Sequence, residues 1–183
     1  TATDGVGNLA TSAATMTVVD TTLPVFDTEL VALSLEATSP LGAVISYVVP
    51  TATDLGLPVP VVCAPASGGT FPIGGTPVTC TATDGVGNLA TSAATMTVVD
   101  TTLPVFDTEL VALSLEATSP LGAVISYAVP TATDLGPPVP VVCAPASGGT
   151  FPIGGTPVTC TATDGVGNLA TSAATMTVVD TTL

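Results

Sequence analysis

Apolar and polar residues alternate with period two over short stretches of this chain, the pattern of half-buried strands rather than helices. Val31, Leu33, Leu35 and Ala37 share one face of a predicted strand, with Leu30, Ala32, Ser34 and Glu36 on the other. A β-branched run at 43–49 ends at Pro50, and 59–63 forms another short strand. Val78, Cys80 and Ala82 alternate with Thr79, Thr81 and Thr83, as Ala94, Met96 and Val98 do with Thr95, Thr97 and Val99. Between these last two runs lies Asp84-Gly85-Val86-Gly87-Asn88, whose glycines permit the positive φ of a tight hairpin. Six or seven short strands in a span of 80 residues predict a β-sandwich.

The span is a repeat. Residues 81–160 copy residues 1–80 except where Val48 becomes Ala128 and Leu57 becomes Pro137, and 161–183 begin a third copy identical to 1–23. A unit of 80 residues is too long for a helical solenoid repeat and suits a small all-β domain. The polar, Pro-stiffened segment 99–104 is the natural place to cut. That predicts whole domains at 21–100 and 101–180, the C-terminal strands of a preceding domain at 1–20, and the start of a further linker at 181–183. The sequence begins and ends partway through a repeat, so it is expected to be an excerpt of a longer chain, and its lack of a leader says nothing of location.

Charge narrows the function classes. The chain has no Lys, Arg or His against 14 Asp and Glu, a formal net charge of −14. Nucleic acid and anionic membrane surfaces both call for a basic footprint, so neither is an expected partner. Most catalytic bases and most transition-metal ligands are missing too, and Ser and Asp without His or Lys make no triad. The chain is therefore not expected to be an enzyme. No side-chain ion pair can form, so each carboxylate must be solvated, hydrogen-bonded or neutralised by a cation from the medium. The 46% hydrophobic share is scattered among Thr, Gly and Pro, and no stretch approaches the roughly 18 apolar residues of a spanning helix, so membrane insertion is not expected. That apolar share, with only 8% charged residues, also argues against disorder.

Each repeat carries two cysteines, Cys63 and Cys80 in one and Cys143 and Cys160 in the next. Even count, equal spacing and an all-β context favour one disulfide per domain over free buried thiols or a metal pair. Two Cys without His cannot complete a zinc site within one domain. A staple suits a core with two Phe, one Tyr and no Trp per domain, and it points outside the cytoplasm.

The string Val61-Val62-Cys63-Ala64-Pro65-Ala66-Ser67-Gly68-Gly69-Thr70-Phe71-Pro72-Ile73-Gly74, with Val78-Thr79-Cys80-Thr81-Ala82-Thr83-Asp84 and Gly87-Asn88, resembles the hyalin repeat (HYR) domain. Gly42-Ala43-Val44 and Pro50-Thr51-Ala52-Thr53-Asp54 fit the same pattern, so the resemblance covers the whole repeat. It implies tandem immunoglobulin-like β-sandwich domains related to fibronectin type III, with a disulfide of the Cys63–Cys80 type. It also implies a place among extracellular adhesion and matrix proteins or bacterial surface proteins. The chain departs from the family in having no basic residue and in the close identity of its repeats.

Two polar features need weighing. In an immunoglobulin-like sandwich the 164–168 hairpin would face the preceding domain, with Asp54 and Asp100 at that domain's opposing pole. Asp54, Asp100, Asp164 and Asn168 would then offer oxygen ligands of the kind calcium accepts. Against this, Asp-Gly is a common turn, Asp caps local backbone, and no Asp-x-Asp-x-Asp loop is present. The abundant Thr and Ser suit solvent faces of strands, and no Asn-x-Ser/Thr acceptor exists because Asn88 precedes Leu89-Ala90.

Near-identical domains in series suit a thread better than an enzyme. The expected function is structural: an extracellular filament, stalk or matrix fibre that self-associates, with other surface or matrix proteins as further partners. The alternatives are an adhesive binding module of a cell-surface adhesin and a spacer in a secreted enzyme.

Overall fold

The computed structural model describes residues 1–181, and among these every regular element is a strand. Of the linker expected at 181–183, residues 182 and 183 lie outside the described residues. The chain forms two compact units, one of residues 1–30, 48–64 and 79–93 and one of residues 31–47, 65–78 and 94–183.

The second unit contains a complete sandwich. Its main sheet orders Ser114–Glu116, Leu169–Val179, Gly154–Thr163 and Val141–Ala144, with the two long central strands antiparallel along their length. Ser114–Glu116 joins the edge in parallel, Ser114 beside Thr177 and Glu116 beside Val179. Two small sheets complete the fold: Val105–Phe106, Ala132–Thr133 and Pro138–Val139 in one, Ala123–Ile125 and Gly149–Phe151 in the other. Alternation puts Val158, Cys160, Met176 and Val178 on the inner face of the main sheet, where they meet Ala123, Ile125 and Phe151 from the small sheet. Leu110 and Tyr127 close this core from the connections between strands. This is an immunoglobulin-like sandwich whose core is built largely of small aliphatic side chains. The same unit pairs Leu33–Glu36 in parallel with Met96–Val99, and Ala43–Ile45 with Gly69–Phe71.

The first unit carries the corresponding pieces of the other copy. Val25–Phe26, Ala52–Asp54 and Leu57–Val59 make a three-stranded sheet, and Val61–Ala64 pairs with 79–82. Pro60 explains why the run expected at 59–63 breaks into two strands, since it has no N–H to continue the ladder.

Each disulfide joins directly opposed residues of neighbouring strands, Cys63 to Cys80 and Cys143 to Cys160. The staple thus lies within one sheet, not across the core. A second clamp holds the loop that follows Cys63: the Tyr47 N–H donates to Ser67 Oγ at 2.9 Å, Ser67 Oγ donates to the Tyr47 carbonyl at 2.7 Å, and the Tyr47 hydroxyl donates to the Pro65 carbonyl.

The face expected for 31–37 is only partly realised. Val31 is exposed, Leu30 is buried in its place, and the strand runs from Leu33 to Glu36. The Leu30 N–H donates to Ser92 Oγ at 3.0 Å, which turns the backbone before the strand begins and shifts the alternation. The run at 43–49 likewise keeps only Ala43–Ile45 as strand, because Tyr47 is diverted into its clamp.

Of the two residues that differ between copies, one changes local structure. Leu55 (φ 47°) and Gly56 (φ 79°) form a two-residue turn closed by the pair Asp54 and Leu57. Pro137 lacks the N–H that Leu57 has, so the copied strands shorten to Ala132–Thr133 and Pro138–Val139, and the Asp134 N–H donates to the Pro137 carbonyl at 3.0 Å.

Gly122, like its copy Gly42, marks the tightest approach among the described glycines. Its φ is +113°, and a Cβ there would lie 1.9 Å from the Phe151 carbonyl oxygen. Gly122→Ala is expected to destabilise this sandwich by roughly 3 kcal/mol in urea unfolding, whereas Gly165→Ala, in open space, should stay within about 0.5 kcal/mol. Removing the staple with Cys143→Ala and Cys160→Ala should lower stability by about 3 kcal/mol by the same measurement.

Candidate functional site

The loop Asp164-Gly165-Val166-Gly167-Asn168 turns between the two longest strands, and Asp164 organises it. Its Oδ1 accepts the N–H groups of Val166 at 2.9 Å, Gly167 at 2.6 Å and Asn168 at 2.7 Å, while Oδ2 accepts Asn168 Nδ2 at 2.7 Å. Asn168 Nδ2 also donates to the carbonyls of Asp100 and Thr102, each at 3.0 Å, which ties the linker to the loop. The linker is held as well by Glu36, whose Oε1 accepts the Thr101 N–H and whose Oε2 accepts the Thr101 hydroxyl at 3.1 Å.

Asp100, Asp134 and Asp164 converge beside this loop, each with a carboxylate oxygen within 4.8 Å of the others', and all three line one open cleft with Leu135, Pro137 and Val166. Asp134 is 8% exposed, and among the described residues its Oδ1 is the buried side-chain oxygen without a hydrogen-bond partner. The same geometry recurs in the other unit. Asp20, Asp54 and Asp84 converge, Asp84 accepts from Val86, Gly87 and Asn88, and Asn88 Nδ2 donates to the Asp20 carbonyl at 3.3 Å.

The family model for the HYR domain matches residues 19–98 and 99–178. The chain belongs to the HYR domain family. It is similar to a hyalin of Lytechinus variegatus, 33% identical over 174 residues, which cover 91% of this chain and 33% of that protein. It is also similar to a hyalin of Strongylocentrotus purpuratus, 35% identical over 189 residues, covering 98% of this chain and 16% of that one. The chain thus spans 33% and 16% of the lengths of these relatives. Among solved structures, that of the titin domains z1z2 in complex with telethonin matches over 90% of this chain and 100% of that one, at 17% identity and a TM-score of 0.45.

Within this HYR chain, the four residues expected to gather do so only in part. Asp100, Asp164 and Asn168 meet, but Asp54 lies with Asp20 and Asp84, and its copy Asp134 takes the place expected of it. The reason is strand direction. Val25–Phe26 starts just after the Asp20 linker that Asn88 holds, so its antiparallel partner Ala52–Asp54 must end at that same linker. Asp54 therefore returns to its own copy's hairpin. Asn168 enters through Nδ2 as a donor that fixes the linker. Both turn-capping and carboxylate convergence are present, since Asp164 does the first while taking part in the second. Sequence reasoning missed Asp134 and Asp20, although the repeat pointed to them as copies of Asp54 and Asp100.

The two kinds of carboxyl are shifted in opposite directions from their ordinary value. Burial alone would push Asp164 up, but hydrogen bonds from the Asn168 backbone and side chain and from the Val166 and Gly167 N–H groups outweigh it and hold the carboxyl below its ordinary value. Its stabilisation is complete above the unfolded-chain value of about 3.9 and is lost as pH falls through the depressed folded value. Asp134 is pushed up, first by burial and then by the charges of Asp100 and Asp164. It therefore weakens the fold at neutral pH, and that penalty fades as pH falls from the raised folded value to the unfolded-chain value of about 3.9. In chelator, thermal unfolding from pH 7 to pH 2 should show a steeper acid-side loss for the parent than for Asp164→Asn, which has no proton to gain there.

Proposed function

We propose that this chain is part of an extracellular structural protein, a filament, stalk or matrix fibre built from near-identical HYR domains. The supporting observation is the repeat itself. Two residues in 80 differ between the copies, both at positions exposed in the first copy, Val48 at 86% and Leu57 at 69%. Core, staple and acidic loop are thus unchanged from one copy to the next. Binding surfaces that select different ligands diversify, whereas a fibre gains length with each near-identical copy. The paired cysteines fit an oxidising compartment, and no helix is long and apolar enough to cross a membrane. Similarity to two hyalins supports the same setting.

In this reading the carboxylates keep the threads apart at low ionic strength and allow self-association when screened. Immunogold electron microscopy of host cells with antibody against this chain is expected to label extracellular threads along their whole length. Label confined to tips would favour an adhesin module. Label inside cells, or on a secreted enzyme alone, would overturn the structural reading.

A further inference from the structure

We propose that Asp100, Asp134 and Asp164 bind a divalent cation through their oxygens, and that Ca²⁺ is the ion they suit. Three observations carry this. First, a buried carboxylate oxygen without a donor is costly, and Asp134 Oδ1 is in that position between two further carboxylates. Second, no cationic side chain can compensate it, because the chain has no Lys, Arg or His. Third, the spacing is compatible: two oxygens each about 2.4 Å from one Ca²⁺ stand at most about 4.8 Å apart, and one oxygen from each carboxylate lies within 4.8 Å of the others.

The donor set is all oxygen, which favours a hard cation over zinc or copper. Asp164 Oδ2 accepts one hydrogen bond, from Asn168, and retains a lone pair for a metal. Asp100 comes from the linker, Asp134 from the end of Ala132–Thr133 and Asp164 from the hairpin, so an ion would join three segments distant in sequence. The open cleft leaves room for water to complete the six to eight oxygens that Ca²⁺ takes. Ca²⁺ tolerates irregular coordination, which suits ligands drawn from three separate segments, whereas Mg²⁺ demands a stricter octahedron at shorter distances.

The test uses the whole chain with Asp54→Asn to silence the related cluster, stripped with EDTA and kept at constant ionic strength. Calorimetric titration with CaCl₂ should show one saturable ion that binds at least tenfold more weakly once Asp134→Asn or Asp100→Asn is added. Ca²⁺ should raise the thermal midpoint of the Asp54→Asn chain and leave those double variants unmoved, with circular dichroism showing all of them folded. Asp100→Asn keeps an acceptor on the linker, so it serves if Asp134→Asn perturbs folding. Identical Ca²⁺ responses with and without the second substitution, no saturable binding, or equal binding of MgCl₂ would each overturn the proposal.

Discussion

Carboxylates without cationic side chains must be satisfied by neutral donors, and that constraint runs through the whole structure. Asp84 and Asp164 are satisfied by backbone N–H groups of their own hairpins. Glu36 takes the N–H and hydroxyl of Thr101, Glu29 takes the hydroxyl of Ser92, and Asp27 takes that of Thr53 at 3.0 Å. Most of these bonds tie a carboxylate to a turn, a linker or the bend before a strand, and Asp27 is tied to the strand Ala52–Asp54. The acidic residues are therefore the fasteners of the loops. Asp134 Oδ1 alone among the described buried side-chain oxygens has no such donor.

The core could not hold these loops unaided. Its largest fully buried side chains in the second copy are Phe151, Ile125 and Met176, and the inner face is otherwise Val, Ala and Cys. A small core leaves little margin after the entropy of ordering the chain. The in-sheet disulfide, the Tyr47–Ser67 clamp and the carboxylate bonds add constraints outside the core, where short strands would otherwise fray. The Leu57 to Pro137 change shows how local such constraints are: one lost N–H shortens two strands and alters the surroundings of Asp134, yet the sandwich of the second copy is complete.

Sequence similarity and structure meet in the repeat. HYR membership covers 19–98 and 99–178, and the acidic cluster of each copy draws its first member, Asp20 or Asp100, from just inside or beside those starts. Linker and hairpin are thus one structural feature, repeated whenever the sequence is.

Three identical copies of one segment separate what is locally encoded from what is not. The Asp-Gly-Val-Gly-Asn loop forms in all three: Asp4 accepts the Val6 N–H at 3.0 Å and the Asn8 N–H at 2.9 Å, as Asp84 and Asp164 do in theirs. Its donors and acceptor lie within five residues, so sequence alone suffices. The strand that follows does not behave in this way. Residues 89–99 and 169–179 are full strands with Met96 and Met176 0% exposed, whereas the identical 9–19 keeps strand only at Leu9–Ala10 and leaves Met16 94% exposed. A strand needs a partner, and within these residues 9–19 has only the short Ala2–Thr3 beside it. By the same logic the alternation of Val78, Cys80 and Ala82 and the pairing of the cysteines could be read from the chain, because period and spacing are local. The grouping of Asp20 with Asp54, and of Asp100 with Asp134, could not, because it depends on which strands run antiparallel across the fold.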